Sequence, residues 1–158
     1  MTDSIEIRIA TVDDIEMICT VLNEFFAHNE ELQPTYFRAD IERGEYPESI
    51  IENDSADFLV ALRDNTVLGL IHISQMKTPP FGSVVPYNYA EINVFMVTAS
   101  QRKKGIGTKL MGMAKQWSKV RNLDYIELAV LRNAKDAFRF YEQSNFDTVM
   151  HTMRCTLK

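Results

Sequence analysis

The sequence predicts a single α/β domain spanning residues 1–158, built as a mixed, mostly antiparallel central sheet of six to seven strands flanked by helices. Three observations carry this. Short runs of strand period and longer runs of helical period follow one another in the order β, α, (α), β, β, β, α, β, α, β. A chain of 158 residues is enough for one core and short of two domains. Its 46 % apolar and 25 % charged residues describe a globular protein, and no repeat period is visible.

The elements follow in chain order. Ile5, Ile7 and Ile9 alternate with Glu6 and Arg8, the period of a half-buried strand. Thr11 with Asp14 three residues on has the spacing of a capping box, and Ile15, Ile18, Cys19, Leu22 and Phe26 continue at helical spacing. Residues 30–57, broken by Pro34, Gly44 and Pro47, read as loop with one or two short helices. "DFLVALRDNTVLGLIHIS" is two β-rich runs joined at Asp64-Asn65, residues that tolerate the positive φ of a tight hairpin. A Pro-rich loop, "KTPPFGSVVPYN", leads to the strand "YAEINVFMV". Leu110, Met113, Ala114 and Trp117 then mark the core stripe of a helix. "DYIELAV" is a strand, Ala134 to Ser144 a short helix, and "FDTVMHTMRCTL" a closing strand or pair of strands.

Charge excludes several roles. The net charge of −5 offers no overall attraction to nucleic acid or to an anionic membrane. No apolar run approaches the ~20 residues of a membrane span, and the N-terminus lacks a basic-then-apolar leader. Cys19 and Cys155 have no CxxC spacing, so they are expected to be buried free thiols in a reducing compartment, with no metal site; the expected location is the cytoplasm. The charges are nevertheless segregated. Residues 28–57 carry nine acids against Arg38 and Arg43, whereas residues 101–121 carry seven bases and no acid.

That basic stretch contains "QRKKGIGTKL", after a strand and at the opening of a helix. The first N–H groups of a helix lack intrahelical acceptors and sit at the positive end of its dipole. Gly105 and Gly107 allow close approach of backbone to an anion. The layout predicts a ligand bearing phosphates. A Walker loop fails on glycine spacing and on the order Thr108-Lys109, and a Rossmann fingerprint fails at Leu110.

Arg102-Lys103-Lys104-Gly105-Ile106-Gly107 resembles the (Q/R)-x-x-G-x-(G/A) signature of the GCN5-related N-acetyltransferases, the GNAT superfamily. "RNAKDAFRFYEQSNF" resembles the second signature of that family, with Asn133, Ala137, Phe140, Tyr141 and Phe146 at matching positions, and the element order agrees over nearly the whole chain. The resemblance implies a sheet splayed at the strand before the basic loop. It implies that backbone groups of Arg102, Lys103, Lys104, Gly105, Ile106, Gly107 and Thr108 hold the pyrophosphate of acetyl-CoA, and that main-chain groups of Phe95, Met96 and Val97 pair with its pantetheine arm. As side chains, Arg102 to Lys104 are equally read as a solvated helix start or as contacts to a 3′-phosphate. Asn133 matches a cofactor-contacting asparagine, or reads as an N-cap. Asn145 stands where the family commonly has glycine; asparagine also accepts left-handed backbone.

Acetyl transfer to an amine by direct attack on a thioester needs a base, an oxyanion donor and an acid. Periodicity alone makes Tyr141 a core aromatic beside Phe138 and Phe140; the resemblance makes it the acid that protonates the departing thiolate. Glu91 is the expected base, acting through water, with a salt-bridged surface glutamate as the other reading; Ala90-Glu91-Ile92 resembles the histone-acetylating branch of the family. Strand alternation places Glu91, Asn93, Phe95 and Val97 on one face. His72 is a reserve base.

The acidic segment 30–57 lies where the family forms one wall of the acceptor cleft, and a negative wall attracts a cationic amine such as a polyamine, aminoglycoside or lysine peptide. The expected activity is therefore acetyl-CoA-dependent N-acetyltransfer to a primary amine. The competing expectations are a non-catalytic acyl-CoA sensor or scaffold and, more remotely, a nucleotide-binding regulator. A homodimer through the C-terminal strands or the first helix is the expected assembly.

Overall fold

The computed structural model describes residues 4–158. A five-stranded sheet runs in the order β1 (Glu6–Ile9), β2 (Ala56–Arg63), β3 (Thr66–Lys77), β4 (Asn88–Val97), β5 (Ile126–Leu128). The first four strands are antiparallel neighbours and β5 lies parallel to β4. One face carries α1 (Ile15–Leu32) and the short α2 (Glu48–Ile51); the other carries α3 (Ile106–Val120) and α4 (Lys135–Gln143).

Local chemistry explains the junctions. The Asp14 carboxylate accepts the Thr11 N–H at 2.8 Å and two hydrogen bonds from the Arg8 guanidinium at 2.7 and 2.9 Å, which ties β1 to the start of α1. Asp64 and Asn65 adopt φ of 49° and 62°, the left-handed pair that a two-residue hairpin requires. At the far end of the sheet the Trp117 indole donates to Asp57 at 2.8 Å, and Arg121 stacks 3.8 Å above the same indole.

Two apolar cores form, one on each face. Ile18, Val21, Leu22, Phe58, Val60, Leu70, Val94 and Met96 fill the α1 side. Leu59, Ile71, Ile73, Ala90, Ile92, Ile106, Leu110, Ala114 and Trp117 fill the α3 side. On β4 the even positions Ala90 and Ile92 belong to the α3 core, while the even positions Val94 and Met96 belong to the α1 core. The switch is a β-bulge: His72 pairs with Val94 but Ile73 pairs with Ile92, so Asn93 is an extra residue in β4.

Two expectations change. The sheet has five strands rather than six or seven, because residues 147–158 are exposed and pair with no strand of their own chain. The cysteines are free but not buried: Cys19 is half-buried on α1 and Cys155 lies exposed on that tail.

Candidate active site

The hydrogen bonding of β4 and β5 stops at Ile92–Leu128. Beyond it β4 continues to Val97 against β3 alone, so a gap opens between β4 and β5 as the resemblance implied. Thr98 N–H bonds to Leu68 O at 2.9 Å. Antiparallel alternation therefore turns the main-chain groups of Met96 toward β3 and those of Phe95 and Val97 toward the gap. Arg102 Nε donates to Val97 O at 3.0 Å, consistent with that orientation. Met96 itself is buried on the α1 side, so of the three expected main-chain partners only Phe95 and Val97 face the gap.

The gap leads onto the start of α3. Gly105 is its N-cap at φ 82°, preceded by Lys103 at φ 60°. Among the described residues, the N–H groups of residues 103–108 have no acceptor, and the first turn resumes with Lys109 N–H to Gly105 O at 3.2 Å. These donors, concentrated at the positive end of a fifteen-residue helix, are suited to an anion. Lys103 and Lys104 are exposed, whereas Arg102 folds back onto the end of β4, with Nη2 3.7 Å from Met96 Sδ. A groove of about 290 Å³ continues from Thr108 between α3 and α4, lined by Met111, Gly112, Lys115, Phe140 and Gln143.

Tyr141 borders the gap on the α4 side. Its ring packs against Phe95, Phe140 and Phe146, and Phe95 stacks on Phe140 with centroids 5.3 Å apart. Burial pushes the Tyr141 phenol well above its usual range, so it is a neutral O–H at every physiological pH. Asn145 closes the helix at φ 69°, which lets Phe146 N–H bond to Tyr141 O at 3.0 Å and seats Phe146 beside that ring.

Glu91 sits opposite Ser74 of β3 and beside Glu127 of β5. The expected shared face fails here: the bulge at Asn93 leaves Glu91 on the α1 side, while Phe95 and Val97 pack on the α3 side. Carboxylate and aromatic therefore approach the gap from opposite faces of the sheet. Burial first, and then the charges of Glu127 and Glu91, raise the pKa of Tyr89, which marks both carboxylates as close to that phenol.

A family model described as "Acetyltransferase (GNAT) family" matches residues 16–146. The chain belongs to the GNAT family. No curated protein sequence matches it. Solved structures do. A point mutant of the BH1408 protein from Bacillus halodurans is 20 % identical with a TM-score of 0.89, over 97 % of this chain and 99 % of that one. AAC(6')-Iy, solved with the bisubstrate analogue CoA-S-monomethyl-acetylneamine, is 13 % identical with a TM-score of 0.71, over 97 % and 100 %. The ribosomal-protein-alanine N-acetyltransferase from Brucella melitensis biovar Abortus 2308 is 17 % identical with a TM-score of 0.71, over 98 % and 99 %. At these identities the likeness is one of fold.

In this GNAT chain the reserve base is occupied elsewhere. His72 is 7 % exposed, and burial lowers its pKa to about 4, so the ring is neutral at pH 7. Nδ1 lies 3.1 Å from the Tyr46 hydroxyl and Nε2 3.2 Å from Ser74 Oγ, whose own proton goes to Asn93 Oδ1 at 3.0 Å. A serine has one proton to give, so His72 donates from Nε2 and accepts from Tyr46 at Nδ1. The chain Tyr46, His72, Ser74, Asn93 thus ties the acidic segment to the bulge beside the gap. Sequence reading missed Ser74 and gave Asn93 only a place on the Glu91 face, because a bulge leaves no mark in the residue pattern.

Asn133 also lies elsewhere than at the loop of α3. Its Nδ2 donates to Leu32 O at 2.6 Å, fastening the start of α4 to the end of α1, and the N-cap of α4 is Ala134. Among the described residues no cluster of His, Cys, Asp and Glu is placed to hold a metal, and no helix is long and apolar enough to cross a membrane.

Proposed function

We propose that the protein is an acetyl-CoA-dependent N-acetyltransferase that transfers an acetyl group to a primary amine by direct attack on the thioester. The observation that carries the reading is the continuity of two features: a gap bordered by main-chain groups of Phe95 and Val97 that pair with no neighbouring strand, opening onto the unpaired N–H groups of residues 103–108. A slender chain with an amide-bearing arm and a pyrophosphate at its far end has the shape and the hydrogen-bonding groups for that path. The residues fit the cosubstrate in charge as well, since seven bases and no acid occupy residues 101–121.

Each step then falls to a residue of this chain. An amine with a reference pKa of ~10.4 arrives protonated, and Glu91 receives that proton through water. The amine nitrogen bonds to the acyl carbon, and the N–H of Phe95 or Val97 donates to the oxygen that gains charge. As the C–S bond breaks, Tyr141 gives its proton to the thiolate sulfur. Burial makes Tyr141 a weaker acid, which opposes this transfer. The same apolar walls disfavour a thiolate, whose free pKa is ~8.5, so both groups shift in the same direction.

The acceptor enters from the α1 face, where Glu91, Glu127 and the acidic segment 30–57 favour a cation. Two unpaired cysteines accord with a cytoplasmic setting. Calorimetric titration with acetyl-CoA, CoA, ATP and NAD, followed by thiol release over a panel of amines, tests the reading. Micromolar acetyl-CoA binding with thiol release is expected. Binding without release for any amine would make the protein an acyl-CoA sensor, and no CoA binding would overturn the proposal.

A further inference from the structure

The bulge of β4 makes Asn93 the exposed end of a polar chain whose other end is dry. Tyr46 is half-buried against Phe58 and His72, with ring centroids 5.8 and 5.6 Å away, and His72 lies 5.2 Å from Phe58. A ring held between two others does not turn over without unpacking both. From His72 the chain runs through Ser74 Oγ, 3.2 Å from Nε2, to Asn93 Oδ1, 3.0 Å further on.

The direction of the chain is set at its dry end. Among the described residues the Tyr46 hydroxyl has one hydrogen-bond partner, His72 Nδ1 at 3.1 Å, and burial raises its pKa well above the usual range of a phenol. A buried O–H left without an acceptor is costly, so this proton goes to Nδ1. Nε2–H then donates to Ser74, and Ser74 donates to Asn93 Oδ1. Run the other way, the chain would strand the phenol proton. One group is left over at the solvent end: Asn93 Nδ2, two N–H donors with no acceptor among the described residues.

Position gives that donor a use. Asn93 comes one residue after Ile92, the last residue of β4 paired with β5, so it stands where the gap opens. Its side chain meets Ser74, the cross-strand neighbour of Glu91, and so lies on the α1 face, the side of the proposed acceptor. A carboxylate beside an amide N–H suits a molecule that carries a cation and an acceptor oxygen close together. Glu91 and Asn93 are no more than ~7 Å apart along the strand, and a hydrogen bond from each spans ~2.9 Å. Two such contacts converge on a nitrogen and an oxygen separated by two carbons.

We infer that Asn93 is a specificity-determining residue, its amide held by the chain Tyr46–His72–Ser74 so as to donate to the acceptor, and that it selects amines with a hydrogen-bond-accepting oxygen two carbons from the nitrogen over plain alkylamines. The inference deepens the acetyl-transfer reading and rests on it. Tyr46, His72 and Ser74 do not touch the acceptor; they are positioning residues that keep the amide from turning its carbonyl outward.

Two measurements on the full chain test it. Nitrogen-15 NMR of the three histidines at pH 7 reads the His72 tautomer without any substrate. A proton on Nε2 and a bare Nδ1 are expected; a proton on Nδ1 overturns the inference, because Asn93 would then face the acceptor with its carbonyl. Thiol release is next compared for 2-methoxyethylamine and butylamine, which differ by an oxygen in place of a methylene. Asn93→Ala should lower the ratio of their kcat/KM values, ether over alkyl, by about three- to tenfold, the worth of one neutral hydrogen bond. Taking the ratio in parent and variant cancels the different basicities of the two amines. Ser74→Ala, which frees the amide to turn, should lower the ratio in the same direction with acetyl-CoA binding and circular dichroism retained. Equal losses on both amines in Asn93→Ala overturn the inference by making Asn93 a structural residue of the bulge, and an unchanged ratio overturns it by placing the oxygen elsewhere. A parent that binds acetyl-CoA and acetylates neither amine also overturns it, whereas a parent that binds no acetyl-CoA overturns the acetyl-transfer reading itself.

Discussion

Gly107 lies against Phe95: a Cβ built on the glycine would stand 3.2 Å from Phe95 Cζ and 3.5 Å from the Phe140 ring. The first turn of α3 therefore reaches the aromatic wall of the gap because this position has no side chain. Gly107→Ala should raise helix propensity by up to about 1 kcal/mol while forcing the Phe95–Phe140 stack to shift. The expected outcome is a melting temperature within a few degrees of the parent and an acetyl-CoA dissociation constant weakened about tenfold, or ~1.4 kcal/mol, measured by calorimetry.

Tyr141→Phe keeps the ring that packs on Phe95, Phe140 and Phe146 and removes only the hydroxyl. Loss of a general acid costs about 10² to 10⁴ in rate. Thiol release should fall by at least ~100-fold with acetyl-CoA binding unchanged. Equal loss of binding and rate would instead make the residue a packing element.

Glu91→Gln should lower kcat/KM by about 100-fold near pH 7, because the amine then reaches the thioester protonated. The deficit should narrow as pH rises toward the ~10.4 of a lysine-like amine, where the nucleophile is free without a base. A pH profile of the variant parallel to the parent would remove Glu91 from that role.

His72 gives the fold a defined acid sensitivity. Its folded-state pKa is about 4, below the ~6.5 of the unfolded chain, so the unfolded state binds more protons in that interval. The stability it contributes is complete above pH ~6.5 and is lost as pH falls toward 4, on the order of 3 kcal/mol in all. His72→Gln should flatten that part of the stability curve, read by urea unfolding at pH 4.5, 5.5 and 7. A variant with the parent's slope between pH 4 and 6.5 would assign the acid sensitivity to other groups.

What could be read from the sequence was whatever a few neighbouring residues determine. Asp64 and Asn65 announced a turn because few residues accept positive φ, and Gly105 announced the start of α3 for the same reason. Trp117, Leu110 and Ala114 fell on one stripe and were buried on it. The rest depends on partners distant in the chain. Nothing near Asn133 shows that its amide bonds to Leu32 O, and nothing near Arg102 shows that it turns back onto Val97 O. The tail was legible as a strand and illegible as an unpaired one, because pattern reports which face is apolar and not what covers it. The bulge was hidden most completely: Asn93 sits in an unbroken strand sequence, and only the pairing of His72 with Val94 and of Ile73 with Ile92 exposes the extra residue.

That extra residue divides β4 into two halves that answer to different chemistry. Upstream of Asn93 the odd positions face the α1 side of the sheet; downstream, the same parity faces the α3 side. Under the acetyl transfer proposed above, substitutions at Tyr89 or Glu91 would therefore retune which amine is accepted while Phe95 and Val97 keep their wall, and the reverse would hold as well. One inserted residue makes a single strand into two independently adjustable surfaces, so under the proposed activity a lineage could change acceptors without rebuilding the half of the site that would hold the acyl donor.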